Sequence, residues 1–97
     1  MTRYDLAYPS KAALRRLKHW RDGDPLGWLQ FAHSIWQIWG WDDEPKVGCF
    51  VYVSTGGWSG NEDIIAAMRS NSILWSRTWE GHRTGGHYTF WVRRTLK

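Results

Sequence analysis

The residues best suited to bind a ligand stand together in the segment Thr55–Asn61, between a strand-like run and a helical pattern. The segment combines glycines with hydroxyl and amide side chains and one large ring, Trp58. A glycine-rich turn that leads into a helix directs backbone N–H groups and the positive end of the helix dipole at one point, which favours an anion. The spacing therefore predicts a pocket for an anion or a nucleotide at the start of this helix.

A second glycine-bearing loop, Gly81–Gly86, joins two later strand-like runs. The two loops form one pocket if they lie at the same end of the sheet, which the sequence does not decide. In that pocket, hydroxyl, amide and backbone groups would bind phosphate, arginines would supply charge, and rings would stack on a base for about 1–3 kcal/mol. The predicted ligand-binding residues are Thr55, Gly56, Gly57, Trp58, Ser59, Asn61, Trp75, Arg77, Trp79, Arg83, His87 and Tyr88.

Part of the first loop has a structural explanation. Ser59-Gly-Asn-Glu62 fits a capping box, in which Ser59 accepts from the N–H of Glu62 and the Glu62 carboxylate reaches back. The shorter stretch Thr55–Trp58 is left without such an explanation, and a functional role is predicted for it, with Arg83 and His87 as partners.

The motifs favour binding over catalysis. The loop lacks the Gly-Lys-Ser/Thr of a P-loop and the spacing of a dinucleotide fingerprint. His87-Tyr-Thr-Phe90 matches half of the motif of two-histidine phosphoesterases, and a second half would have to come from another copy of the chain. No nucleophile elbow or metal-ligand spacing is present, so no catalytic residue, metal or cofactor is predicted.

Composition limits the partners. The 97 residues suit one domain with net charge +4. Residues 46–97 carry seven basic but only three acidic side chains, which fits an anionic ligand, and a net charge of this size equally fits ordinary solubility. The nine tryptophans exceed what a small core needs, which predicts a homo-oligomer. Cys49, the only cysteine, is predicted to be buried. The start of the chain lacks the apolar stretch of a signal peptide, and no apolar run is long enough to span a membrane, so a cytoplasmic protein is predicted.

The predicted fold is α+β, with two N-terminal helices followed by β-α-β-β and a three-stranded, mostly antiparallel sheet. Ser10 caps a first helix over residues 10–21, and Asp24-Pro25 begins a second over 25–39 that Gly40 ends. The run 47–53 is apolar on both strand faces, which indicates a strand covered on both sides, or covered on one side and facing a partner on the other.

The third helix follows Ser59 and ends at Asn71. Residues 73–92 read as a β-hairpin, although residues 73–79 also fit a helix. In the hairpin, Arg77 falls on the same face as Trp75 and Trp79, where it could stack between the rings.

A different binding surface is also open. The first helix carries Lys11, Arg15, Arg16 and Lys18, which could face a nucleic acid or a host protein instead of solvent.

The string Thr55-Gly-Gly-Trp-Ser-Gly-Asn-Glu62, followed by Gly85-Gly-His-Tyr-x-Phe90, resembles a group of small bacteriophage-encoded proteins of unassigned function. The resemblance extends over most of the chain and includes Tyr8-Pro9. It implies a phage origin and, because small phage accessory proteins often counter host defences, a role of that kind in the host cytoplasm. It brings no active site with it.

Overall fold

The computed structural model describes residues 8–37, 40–83 and 85–93. It confirms the α+β class, with helices beside one antiparallel sheet. The elements in chain order are α1 (Lys11–Lys18), α2 (Pro25–Ile35), β1 (Phe50–Ser54), α3 (Ser59–Ser70), α4 (Ser72–Thr78), β2 (Trp79–Arg83) and β3 (His87–Trp91).

Both N-terminal helices begin where their caps predict. The Ser10 hydroxyl accepts from the N–H of Ala13 at 3.0 Å, and the Asp24 carboxylate accepts from the N–H of Gly27 at 3.1 Å. Each bond satisfies a donor that the first helical turn leaves free.

The predicted end of the second helix is wrong. The helix stops at Ile35, and Trp36 is already extended (φ −69°, ψ 140°), whereas residues 38–39 of the predicted helix lie outside the described part of the chain. The backbone of Gln37 bonds instead to the side chain of Asn61, through an N–H donated at 3.0 Å and a carbonyl that accepts at 2.6 Å. A tertiary contact therefore replaces the last helical turn.

The sheet has the order β1-β3-β2 with antiparallel pairs throughout. The first strand begins at Phe50 rather than residue 47, because Lys46–Cys49 forms a turn with Gly48 at φ +79°. Cys49 lies in this turn and is exposed, so its predicted burial is wrong.

The predicted hairpin over 73–92 is also wrong in its first half. Residues 72–78 form α4, capped by the Asn71 side chain, which accepts from the N–H of Leu74 at 3.2 Å. Leu74 and Thr78, four residues apart, are both fully buried, as on one face of a helix. The hairpin therefore starts at Trp79, and the predicted loop Gly81–Gly86 shrinks to a turn around Gly85–Gly86, with residue 84 outside the described part.

The helices cover only one face of the sheet. Val51, Val53 and Phe90 point to this helix side and share a buried core with Ile64, Met68 and other residues of all four helices. On the opposite face, which we call the open face, Phe50 and Tyr52 are about half exposed (50% and 55%). The strand is thus covered on one side, as in the second sequence interpretation, and the partner that this interpretation places on the other side stays a prediction.

Candidate functional site

The two glycine turns meet at one end of the sheet. Ser54, the last residue of β1, pairs with His87, the first residue of β3, and the N–H of Thr55 donates to the carbonyl of Gly86 at 3.0 Å. Gly86 has φ +82°, and a Cβ there would collide with the Thr55 hydroxyl, so both backbone shape and space require glycine. The strand register thereby answers the question that the sequence left open.

The first loop is closed by its own hydrogen bonds. The hydroxyls of Ser54 and Thr55 accept from the N–H groups of Gly56 and Gly57, both at 3.3 Å, and the Thr55 carbonyl accepts from the N–H of Trp58 at 3.2 Å. Gly56 and Gly57 adopt φ of +65° and +75°. The N–H groups of Gly56, Gly57 and Trp58, three of those predicted to bind an anion, therefore have partners within the loop.

The predicted capping box is not formed. Helix α3 begins at Ser59 itself, its cap is Trp58, and no side chain caps it. The N–H of Glu62 donates to the Trp58 carbonyl at 3.1 Å, and the Ser59 hydroxyl bonds to the Tyr8 hydroxyl. Because Ser59 already lies inside the helix, its side chain is not in the cap position that the box requires.

Trp58 covers the start of α3. Its ring lies so close to Gly60 that a Cβ there would overlap it, and its other neighbour is Tyr8, with ring centres 5.3 Å apart. The ring of Trp58, between the end of β1 and the start of α3, thus has a packing role.

Asn61 is fully buried, and its amide links three segments. Besides the two bonds to Gln37, its Nδ2 donates to the Thr55 carbonyl at 3.2 Å. Both of its donors are used inside the protein, so this predicted ligand contact holds the loop in place.

The predicted aromatic residues Trp75, Trp79 and Tyr88 lie on the helix side. The rings of Trp75 and Trp79 stack with centres 6.1 Å apart, and Tyr88 meets Trp75 edge-on at 6.0 Å. The guanidinium of Arg69, which the sequence analysis missed, lies 5.1 Å from the centre of Trp75. No local spacing signals this contact, since the two residues belong to different helices.

The predicted place of Arg77 is wrong. Because residues 72–78 are helical, strand alternation does not apply, and the exposed Arg77 side chain donates to the carbonyl of Asp22 at 2.9 Å, beyond α1. Arg83 pairs with His87 in the strand register, and only its backbone is described.

Two concavities lie beside the junction of the turns. The helix-side groove, about 480 Å³, is lined by Thr55, Gly86, Tyr88, Arg69 and Glu62. The open-face concavity, about 420 Å³, is lined by Tyr52, Ser54, Gly81, His87 and Thr89 among others. Both volumes fall within the range of roughly 300–1,000 Å³ typical of small-molecule sites.

The open-face concavity contains residues that the sequence analysis overlooked. Tyr52 pairs with Thr89 and Ser54 with His87, so these four side chains share one face. Gly81 pairs with Thr89 on the neighbouring strand, and a Cβ there would meet nothing within 4 Å, which leaves the concavity open. Tyr52 and Ser54 alternate with Val51 and Val53, and this alternation was the available signal for a solvated strand face.

No protein family, curated protein or solved structure matches this chain. Within the described residues, no helix is both long and apolar enough to cross a membrane. No group of three histidine, cysteine or acidic side chains in that part of the chain is arranged to hold a metal ion.

Proposed function

We propose that the protein binds a nucleotide-like, phosphate-bearing ligand without transforming it, and that the ligand occupies the open-face concavity. The observation that carries the proposal is the convergence of both glycine turns beside an exposed aromatic ring. The Thr55–Gly86 bond holds together the adjoining ends of β1 and β3, whose Ser54 and His87 line the concavity, and Tyr52, 55% exposed, offers a ring to a base.

The helix-side groove fits such a ligand less well. The ring of Tyr88, which lines the groove, already contacts the edge of Trp75 and lies 6.0 Å from the Arg69 guanidinium. The groove is also lined by the carboxylate of Glu62, which repels phosphate.

On the open face, the phosphate would lie toward the turns. His87 is exposed beside Gly85–Gly86, and the register places Arg83 opposite it at the same end of the sheet. The base would then lie over Tyr52, with the missing side chain of Gly81 providing the space between them.

Titration calorimetry against mononucleotides, cyclic dinucleotides and ADP-ribose derivatives tests this proposal. Tyr52→Ala should weaken binding by about 5- to 150-fold, the equivalent of one stacked base. Gly81→Leu should block binding, because its side chain fills the concavity without steric conflict in the folded chain.

Two matched variants control for nonspecific effects. Tyr8→Ala removes a tyrosine that is similarly exposed (58%) but does not line the concavity, and Gly23→Leu adds a side chain at another open glycine, between α1 and α2. Neither should change the affinity. The proposal fails if nothing in the panel binds, or if Tyr52→Ala and Gly81→Leu bind as the unmodified chain does.

The phosphodiesterase alternative depends on His87. Within one chain, His82 and His87 both line the open-face concavity, but His82 pairs with Tyr88 and stacks on its ring at 5.8 Å. If a ligand is hydrolysed and His87→Ala abolishes turnover but not binding, catalysis replaces simple binding as the function.

The resemblance to phage-encoded proteins indicates a biological role for this binding, and we include that role in the proposal. A small phage protein in the host cytoplasm that sequesters a nucleotide signal would counter a defence that depends on that signal. The homo-oligomer stays a prediction. The argument for it from a surplus of tryptophans is weaker, because all eight described tryptophans are buried or half-buried within the chain itself.

A second candidate function is inhibition of a host protein or nucleic acid through α1. No acidic residue occurs in residues 8–21, and Lys11, Arg15, Lys18 and His19 are exposed. The Arg16 guanidinium is held 4.7 Å from the ring centre of Phe31, beside a groove of about 650 Å³.

Charge reversal separates the two functions. If α1 is the binding surface, Arg15→Glu with Lys18→Glu should abolish a salt-sensitive binding to DNA or an inhibitory activity, whereas Gly81→Leu should leave it intact. The opposite pattern would exclude this candidate.

A further inference from the structure

A second aromatic platform lies next to the proposed site on the open face. The rings of Phe50 and Trp91 stack with centres 5.5 Å apart and planes 22° from parallel. The guanidinium of Arg93 lies 5.1 Å from the ring centre of Trp91. Phe50 is nevertheless half exposed, so part of this stack remains accessible.

The platform and the concavity belong to one continuous surface. Phe50 pairs with Trp91 and Tyr52 pairs with Thr89 in the same register, so all four lie on the same face of β1 and β3. Residues two apart along a strand are separated by about 6.6–6.8 Å. Tyr52 and Phe50 therefore offer two successive rings along one strand.

This surface differs from an ordinary solvated strand face. Where one face of an antiparallel sheet packs on a core, the other normally carries polar side chains. Here the outward positions carry Phe50, Tyr52 and Trp91, with a cation beside them. Nothing in the core requires these rings, since the buried cluster is formed by the residues of the opposite face.

Both signs of charge lie near this surface, and basic residues outnumber acidic ones in the second half of the chain. The Asp42 carboxylate accepts from the N–H of Tyr52 at 2.9 Å. Residues 46–97 hold seven basic and three acidic side chains. Two of the acidic residues, Glu62 and Asp63, lie on α3, whose apolar residues pack against the helix side. Arg93 adjoins the platform, and Arg83 and His87 occupy the far end of the same sheet. Phosphates along a chain of nucleotides would thus meet the Arg93 guanidinium at one end of the aromatic row and the strand positions of Arg83 and His87 at the other.

We infer that the ligand of this surface is single-stranded nucleic acid rather than a mononucleotide, with one base over Tyr52 and the next over the Phe50–Trp91 stack. The inference rests on the proposed function, because it extends the same site. A base within a duplex is already stacked on both sides and offers no free face to such rings, whereas a single strand does.

The length dependence of binding tests the inference. Thymidine monophosphate is titrated by tryptophan fluorescence, and fluorescein-labelled oligo-dT of two, four and eight nucleotides by anisotropy. Affinity should rise by about 5- to 150-fold when a second base becomes available. Phe50→Ser, at a half-exposed position, should remove this rise and leave mononucleotide binding unchanged.

A pair of arginines supplies a matched control. Arg93 and Arg69 each lie 5.1 Å from a tryptophan ring centre, but on the open face and the helix side respectively. Arg93→Ala should weaken oligonucleotide binding and reduce the slope of log affinity against log salt concentration by about 1. Arg69→Ala should do neither.

The outcomes distinguish this inference from the proposed function. Mononucleotide binding with no gain in affinity for longer oligonucleotides overturns only the inference, whereas no binding of either probe overturns both. If the chain sediments as a dimer that Phe50→Ser converts to monomers, without oligonucleotide binding, a second copy occupies the face and the inference is wrong.

Discussion

Replacing Asn61 with aspartate tests whether this residue holds the loop or contacts a ligand. The change keeps the shape of the side chain and the acceptor for the N–H of Gln37. It replaces the amide nitrogen, which donates to the carbonyls of Gln37 (2.6 Å) and Thr55 (3.2 Å), with an oxygen. Three oxygens would then face one another at a site with no solvent exposure.

The expected loss of stability is large. Two lost hydrogen bonds cost about 0.5–1.5 kcal/mol each, and an uncompensated buried charge typically raises the total to about 3–5 kcal/mol. A domain of this size has a free energy of unfolding of roughly 5–15 kcal/mol, so a substantial part of it would disappear. Urea unfolding followed by tryptophan fluorescence measures the difference, and thermal unfolding should show a midpoint lowered by more than about 10 °C.

Gln37→Ala is the matched control, because Gln37 contributes only backbone atoms to the bonds with Asn61. Its effect on the free energy of unfolding should stay within about 0.5 kcal/mol. If Asn61→Asp instead unfolds like the unmodified chain but loses ligand affinity, Asn61 is the ligand contact that the sequence predicted, and its structural role is refuted.

Two further pairs of variants test the packing around the site. Gly86→Ala should destabilise the fold more than Gly57→Ala in urea unfolding, since both have positive φ but only at Gly86 would the new Cβ collide, with Thr55; equal losses would contradict the close approach of the turns. Trp28→Phe should cost about 1 kcal/mol more than Trp36→Phe, because the Trp28 indole N–H donates to a backbone carbonyl of α1 at 3.0 Å whereas that of Trp36 is buried with no partner among the described residues; the reverse order of midpoints would argue against this assignment.

Features fixed by neighbouring residues could be predicted from the sequence. The starts of α1 and α2 depend on Ser10 and Asp24, whose side chains bond to N–H groups three residues ahead. Such short-range bonds form wherever the sequence places a suitable cap, so periodicity and capping sufficed.

Features fixed by distant contacts could not be predicted. Residues 73–79 alternate as a strand would, yet Asn71 caps a helix there and also donates to the carbonyls of Leu17 and Trp20, at 3.2 and 3.1 Å. The early end of α2 depends on Asn61, 24 residues beyond Gln37. In both cases an asparagine selects the backbone path through partners that local patterns do not reveal.

The two glycine turns lie at one end of the sheet, but several side chains that the sequence analysis assigned to a ligand make other contacts there. The sequence analysis assigned ligand contacts to polar groups because their types suited a phosphate, but the same types also suit a tight loop. Thr55 and Asn61 are used in that way, and Trp58 covers Gly60. Whether a polar residue contacts a ligand or stabilises a loop depends on which groups the fold brings within hydrogen-bonding distance of it. The sequence does not give that distance.

Because the polar groups of the glycine loop bond within the protein, the groups that remain available to a ligand lie on the neighbouring open face. A loop whose donors and acceptors are paired with one another is rigid, and a rigid rim reduces the ordering that a ligand must impose on binding. Among the side chains that line the concavity, Tyr52, His82 and His87 are exposed, and Phe50 and Arg93 follow along the strands. The glycine turns thus act by holding the strand ends together, and the chemistry of recognition falls to the aromatic surface that the strands present.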